Sequence, residues 1–469
     1  MRQAYGVEAV RAAERPLLDA LPDGALMQRA AGGLAAVCAE VLGKVYGSRV
    51  ALLVGSGDNG GDALFAGARL ARRGARVDAL LLGSTAHGAG VTALRAAGGR
   101  VTDVDQAREV VQRADLVVDG IVGIGGRGGL RDRAAEVVSG LAGGPLVVAV
   151  DVPSGVDADT GEVTGVAVRA DVTVTFGTLK PGLLVDPGAE HAGAVELVDI
   201  GLQLPAPAPV EVLQAVDVAR LVPRAGRESD KYRRGVVGVA AGSDQYTGAA
   251  VLCCGGAIRG GAGMVRYLGS DGPTALVRSR WPEVVVGEGR VQAWTVGSGG
   301  GQDAAARLGR ALADGVPVVV DADALAALRG HRERGAPVLL TPHAGELARL
   351  LDVDREDVEA RRLEHARRAA EALDAVVLLK GSTTVVARQD GRVRVNPTGT
   401  SALATAGTGD VLAGLCGALL AGGLDPFDAG SVGAWLHGLA GRLSAEGGAT
   451  LSAGTVVEAL PAAFRALGD

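Results

Sequence analysis

A chain of 469 residues is too long for one compact core, so two or three domains are expected. Hydrophobic residues reach 48% while aromatics reach only 3%, which leaves the cores to Ala, Val and Leu and favours sheets between helices over small aromatic-rich β domains. The net charge of −6 carries no lysine- or arginine-rich block, which argues against nucleic acid as a partner. The longest apolar stretch, Val411 to Leu424, is broken by glycines and too short to span a bilayer, so no membrane partner is expected.

The N-terminus is charged and amphipathic, unlike a secretory leader, and the four cysteines show no metal-ligand spacing; a reducing cytoplasm is the expected location. Val50 to Val54 reads as a buried parallel strand, followed by the glycine loop Gly55 to Asp62 and a helix from Ala63 to Arg73 ending at Gly74. Further strands are expected at Val77 to Leu82, Leu116 to Asp119, Leu146 to Asp151, Val172 to Phe176 and Ala194 to Val198. Strands alternating with helices make an open doubly wound α/β sheet, whose ligands sit outside the strand carboxyl ends. The Pro/Ala alternation from Leu204 to Pro209 then reads as a stiff connector, which divides the chain into residues 1–212 and 213–469. The second α/β series has expected strands at Val236 to Ala240, Thr295-Val296, Val318 to Val320, Val338 to Leu340 and Val376 to Leu379, with closing helices at Thr408 to Leu420 and Asp428 to Leu443.

The loop Gly55-Ser56-Gly57-Asp58-Asn59-Gly60 satisfies the dinucleotide pattern G-x-G-x-x-G, yet Asp58 and Asp62 would face a pyrophosphate that wants bare amides. The ribose-binding acid should also close the second strand, whereas Asp78 opens it. Asp119 and Asp151 each close a strand beside a glycine loop, a pairing suited to moving protons or holding a cation. Ser154 lacks the G-x-S-x-G elbow of a nucleophile. In the second half, Thr400 to Gly409 leads directly into a helix with Asp410 in its first turn. Small residues admit a polyphosphate, the helix start offers amides and a positive dipole, and Asp410 is placed to take a proton from a hydroxyl attacking phosphorus. Lys380-Gly381-Ser382-Thr383-Thr384, His343 with Glu346, Gly297 to Gly301 and Asp321-Ala322-Asp323 end other strands of the same series.

The motifs Val54 to Asp62, Asp119 to Gly125, Asp151 to Gly155 and Thr175 to Gly182 resemble those of NAD(P)H-hydrate epimerases, with Leu26 to Ala30 similar to that family's first helix. The resemblance implies a Rossmann-like domain with a substrate pocket formed by Asp58, Asn59, Gly60, Gly61, Asp62, Gly123, Ile124, Gly125, Gly126, Arg127, Gly128, Gly129 and Asp151. It further implies K+ near Asn59, Asp119 and Ser154, and a proton-moving role for Asp151. Where that family usually has two asparagines this chain has Asp58-Asn59.

From Lys231 to His437 the motifs resemble the ribokinase-like ADP/ATP-dependent NAD(P)H-hydrate dehydratases, which implies an α/β/α second domain. Nucleotide would lie on Lys380, Gly381, Ser382, Thr383, Thr384, Thr400, Ser401, Ala402, Leu403, Ala404, Thr405, Ala406, Gly407, Thr408 and Gly409. The hydrated cofactor would lie on Ala249, Gly299, His343 and the catalytic Asp410. The expected whole is a bifunctional repair enzyme that interconverts the R and S epimers of hydrated NADH and NADPH and dehydrates the S epimer, using ADP (or ATP) with Mg2+ and releasing AMP and phosphate. A homo-oligomer is expected. The alternative is a ribokinase-like small-molecule kinase with a non-catalytic N-terminal binding domain.

Overall fold

The computed structural model describes residues 1–126, 128–130, 132–141, 143–224, 226–330 and 335–468. The chain divides into two compact units: Gln3–Pro209, and Val210–Asp469 together with Met1–Arg2. The division at Pro209 falls inside the Pro/Ala segment, close to the expected residue 212.

The first unit is built on a seven-stranded parallel sheet in the order Arg100–Thr102, Arg76–Leu81, Arg49–Val54, Leu116–Gly120, Leu146–Val150, Val172–Phe176, Ala194–Val198. Val50 to Val54 and Leu116 to Val118 are almost fully buried, because crossover helices cover both faces of a parallel sheet. The order reverses between Arg49–Val54 and Leu116–Gly120, which makes their carboxyl ends the ligand crevice.

Two of the boundaries that differ from expectation bear on the site. The helix after Val54 starts at Asp58, five residues before Ala63 where periodicity begins, so Asp58 to Asp62 are helical and not loop. Gly60 permits this: a Cβ there would stand 2.3 Å from the Gly55 carbonyl oxygen. Secondly, Leu146–Val150 ends one residue early, because Asp151 takes a positive φ of 66° and leaves the strand. The helix Ala25–Leu42, among the described residues, is long and apolar enough to cross a membrane by length and composition; its residues Ala30, Leu34, Ala35 and Cys38 are buried in the core of this sheet.

Across the second sheet run Val393–Asn396, Thr384–Ala387, Val376–Leu379, Val338–Leu340, Val318–Val320, Ala293–Val296, Val236–Ala240 and Met264–Tyr267. Pairing is parallel from Met264–Tyr267 to Val376–Leu379, antiparallel through Thr384–Ala387 and Val393–Asn396, and parallel again where Val393–Asn396 meets Val210–Val212. The antiparallel hairpin Thr384–Ala387/Val393–Asn396 was not expected. It is a short two-strand excursion, without the helix spacing that signalled the other strands. The strand order reverses beside Val236–Ala240, which defines a second crevice.

Two helices, Thr247–Arg259 and Thr408–Ala421, pack on this sheet with their backbones in close approach. A Cβ on Gly414 would lie 1.9 Å from the Cys253 carbonyl oxygen, and one on Gly256 would lie 2.2 Å from that of Val411. Their glycines therefore set how far the N-terminus of Thr408–Ala421 projects towards the strand ends. All four cysteines, Cys38, Cys253, Cys254 and Cys416, are free and buried. Burial pushes the Cys38 and Cys254 thiols up to about 12, which keeps them protonated.

Candidate functional sites

In the first unit the two loops flanking the reversal meet: a Cβ on Gly55 would stand 1.8 Å from the Ile121 carbonyl oxygen. Asp151, turned out of its strand, forms a buried ion pair with Lys180 at 2.5 Å. Its Oδ1 also accepts from Thr175 Oγ1 at 3.1 Å and from the Phe176 amide at 3.3 Å. Lys180 itself donates to Thr175 Oγ1 at 3.0 Å and to the Phe176 carbonyl at 2.9 Å, so both partners of this pair are held rigidly.

The neighbours of this pair are acidic. Asp62 is 6% exposed and its Oδ1 has no hydrogen-bond partner. Burial, then the charges of Asp151, Asp58 and Glu14, raise the Asp62 carboxyl well above the usual carboxylate range. Glu14 is raised as well, first by burial and then by Asp151, with Lys180 and Arg11 pulling the other way. Glu14 and Lys180 carried no role in the sequence reading. Lys180 sits in a quoted motif; Glu14 lies on the helix Val7–Ala20, far away in sequence, and nothing local signals it.

Of the three residues expected around K+, Asp119 and Ser154 meet directly. Ser154 Oγ lies 2.6 Å from Asp119 Oδ1 and 3.1 Å from the Val122 carbonyl, while the Ser154 amide donates to Asp119 Oδ2 at 2.8 Å. Asn59 donates to the Val150 carbonyl at 2.6 Å. Burial pushes the Asp119 carboxyl up to about 6, against the pull of Ser154 and the Ile121 amide. These are hard oxygen donors, two of them neutral, around one carboxylate, a set that suits an alkali cation.

The glycines divide by what their missing side chains would meet. Gly60 and Gly61 face protein, the latter with Met27 at 2.9 Å, and Gly123 faces the Asn59 amide. Gly125 faces Arg11 at 3.3 Å, Gly126 faces Val122, Gly129 faces Gly165, and Gly128 has a positive φ of 76°. Ile124 packs against the small cores containing Val152 and Tyr5. Their common effect is close backbone packing, with Asp58 and Gly57 left exposed at the crevice. Arg127 lies outside the described residues.

In the second unit, Gly407 caps the helix Thr408–Ala421 with a positive φ of 89°. The Gly409 and Asp410 amides belong to its first turn, where no intrahelical acceptor exists, so they are free to face an anion. Thr408 Oγ1 reaches the Leu403 and Thr405 carbonyls at 2.8 and 2.9 Å, tying the Thr400–Ala406 turn to the helix start. Leu403 packs towards Gly441, so it can serve a nucleotide only through its backbone.

Asp410 is mostly buried. Burial, then the Asp321 charge, pushes its carboxyl up to about 7, with Lys380 opposing the shift and Glu346 reinforcing it. Lys380, expected to meet nucleotide, has its ammonium 2.9 Å from Asp321 and 3.9 Å from Glu346. It still borders the phosphate turn: a Cβ on Gly409 would lie 3.3 Å from its Nζ. Asp321 also accepts from Ser298 Oγ and Thr341 Oγ1, each at 2.8 Å. Ser298, Asp321 and Glu346 were read as strand-end residues without a role; that position, shared with Asp119 and Asp151, was the signal.

The turn Lys380 to Thr383 is held by the buried Arg362, which donates to the Lys380 carbonyl at 2.8 Å, and Gly381 leaves room for its guanidinium. Thr384 opens a strand, and Thr400 caps the short turn Ser401–Leu403. Ala249 and Gly299 adjoin at the sheet reversal, where a Cβ on Gly299 would lie 2.8 Å from that of Ala249. His343 caps the helix Ala344–Leu351: its Nδ1 accepts from the Gly345 amide at 3.0 Å, and its Nε2 lies 3.5 Å from Glu346. Burial and Lys380 lower its pKa despite Glu346, which favours the neutral imidazole. Beneath Thr408 lies a histidine the sequence reading passed over. Burial pushes His437 down to about 4 and its Nε2 has no partner.

Two family models match the chain. One, described as NAD(P)H-hydrate dehydratase, covers residues 237–461; the other, the YjeF-related protein N-terminus, covers residues 23–182. A bifunctional NAD(P)H-hydrate repair enzyme of Mycobacterium leprae is 49% identical over 463 residues, 95% of this chain and 94% of that protein. Its counterpart in Mycobacterium tuberculosis is 50% identical over 449 residues, 92% of this chain and 91% of that one. Among solved structures, the ADP/ATP-dependent NAD(P)H-hydrate dehydratase of Bacillus subtilis, co-crystallised with ATP and Mg2+, aligns with a TM-score of 0.53 at 32% identity, covering 55% of this chain and 99% of its own.

Proposed function

The chain belongs to the bifunctional NAD(P)H-hydrate repair enzymes, and from that premise we propose which residues of each unit carry which half of the repair. The observation that carries the reading is Asp410, poised near neutrality at a helix start between free amides and the Asp321–Lys380 pair. Hydrated NADH or NADPH bears a hydroxyl on the ring carbon beside the nicotinamide nitrogen. Hydroxide leaves poorly. Asp410 takes the hydroxyl proton as its oxygen attacks the terminal phosphoryl group of ADP, the Gly407 to Gly409 turn stabilises the transferred charge, and AMP departs. Phosphate then leaves with its bonding pair, the ring-nitrogen lone pair drives it out, and loss of the neighbouring ring proton restores the dihydropyridine.

Ala249, Gly299 and neutral His343 border the hydrated ring, while Lys380 to Thr384 and Thr400 to Gly409 receive the nucleotide. Among the described residues no group of three or more acidic, histidine or cysteine side chains gathers around a metal; Mg2+ held largely by nucleotide phosphates needs none. The first unit interconverts the R and S epimers over Asp58 to Asp62 and Gly123 to Gly129. The oxygens of Asn59, Asp119 and Ser154 fit K+, which when bound supplies positive charge beside the substrate. The buried free thiols suit a reducing cytoplasm.

The test is purified full chain with Mg2+, S-epimer hydrate of NADH and either ADP or ATP, followed by return of the dihydropyridine absorbance. Return of that absorbance together with free phosphate supports the reading. A stable phosphorylated product would instead establish the small-molecule kinase.

A further inference from the structure

Among the described residues, Asp62 stands out as a buried carboxyl with no cation of its own. It lies early in the helix Asp58–Arg72, is 6% exposed, and its Oδ1 meets no hydrogen-bond partner. The charged groups that act on it, Asp151, Asp58 and Glu14, are all acidic. A buried, unpaired carboxylate among other carboxylates is too costly to keep, so this group holds its proton. Asp151 is the reverse case. Lys180, Thr175 Oγ1 and the Phe176 amide all donate to its Oδ1, which stabilises the anion, and its Oδ2 carries none of these bonds. One acid and one carboxylate in a single crevice, kept apart by environment, are the parts of an acid–base pair.

We propose that Asp62 is the proton donor of the epimerisation, with the Asp151 carboxylate as its anionic partner; this rests on the epimerase reading of the first unit. Asp62 gives its proton to the ring hydroxyl. The C–O bond breaks with its electron pair going to oxygen, and water departs. The ring-nitrogen lone pair becomes the second bond of a C=N iminium cation, which the Asp151 carboxylate stabilises. Water then adds to the opposite face, the C=N pair returns to nitrogen, and the surplus proton passes to Asp151. Its transfer back to Asp62 through water resets the site, so nothing is consumed.

The experiment uses the full chain with ADP, Mg2+ and the resolved R epimer, with spontaneous interconversion subtracted in an enzyme-free blank. Asp62→Asn keeps the shape of the neutral acid and removes its proton. It is expected to lower kcat for the R epimer at least about 100-fold while KM changes little. Turnover of the S epimer, which needs only the second unit, stays at the wild-type level and reports that the chain is folded. Asp62→Glu is expected to recover part of the rate. R-epimer turnover by Asp62→Asn near the wild-type rate overturns the proposal, as does a loss confined to KM. Failure of wild type itself to use the R epimer sinks the epimerase reading and the proposal together. That result is distinct from failure of Asp62 alone, where wild type and variant both turn the epimer over.

Discussion

The two crevices are built alike. Each places an aspartate just past a parallel strand, Asp151 or Asp321, against a lysine that follows another strand of the same sheet, Lys180 or Lys380, at 2.5 and 2.9 Å. Each adds a second aspartate near the start of a helix, Asp62 or Asp410, which makes no ion pair among the described residues. They differ in burial. Lys180 and Asp62 are sealed, whereas the Lys380 side chain is 21% exposed and Asp410 is held near 7. Deep burial among other carboxylates raises the Asp62 carboxyl, the direction that the proposed proton donor needs. Partial burial beside a lysine yields a group that ionises at working pH, suited to removing a proton. On the proposed roles, one arrangement would serve opposite chemistry, with depth of burial as the difference.

The sharpest way to break this comparison is Asp410→Asn. Loss of the base is expected to cut dehydration of the S epimer at least about 100-fold, with R-to-S conversion untouched, as read by absorbance recovery and by chromatography of the epimers. The same variant tests the pH linkage. The folded-state pKa is raised above the unfolded value, so the folded chain binds the extra proton between about 4 and 7 and loses stability as pH rises through that window. Asp410→Asn should therefore melt above wild type at pH ~8 and coincide with it below pH ~4.

Next in size is Lys180→Met, which strands a buried carboxylate and is expected to destabilise the first unit by about 3–5 kcal/mol in denaturant melts. Lys380→Met should cost less, because the Lys380 side chain is 21% exposed against 1% for Lys180, so water can reach the stranded Asp321 carboxylate. Equal costs would erase the distinction between a sealed and an open pair. Gly414→Ala places a Cβ against the Cys253 carbonyl and is expected to cost about 1–3 kcal/mol, lowering dehydration more than epimerisation. The smallest effect sharpens the electrostatics. The pH–rate midpoint of dehydration, near 7 in wild type, should move down by roughly half to one unit in Asp321→Asn and up in Lys380→Met. A midpoint that ignores both changes removes Asp410 as the titrating base.

Much of the molecule was legible in the linear chain. Apolar runs ending in Asp or Gly located most strands, because parallel strands buried on both faces leave an unbroken hydrophobic signal. Where burial was partial or the pairing antiparallel, as in Thr384–Ala387 and Val393–Asn396, the signal faded. The helix start at Asp58 was hidden because its first residues are glycines and acids chosen for packing and polar contact. Glu14 was illegible because only the folded chain sets the helix Val7–Ala20 beside Asp151.

The sequence by itself determined the family and the doubly wound architecture and singled out Asp151 and Asp410 as candidates, because strand ends, glycine turns and helix starts are local features. The tertiary structure decided the partners and the direction in which the buried carboxyls shift. Lys380 met Asp321 and Glu346, Asp62 was left without a cation, and Asp410 came to rest near neutrality. Those outcomes depend on burial and on charges brought together from distant segments, and neither quantity exists along the unfolded chain.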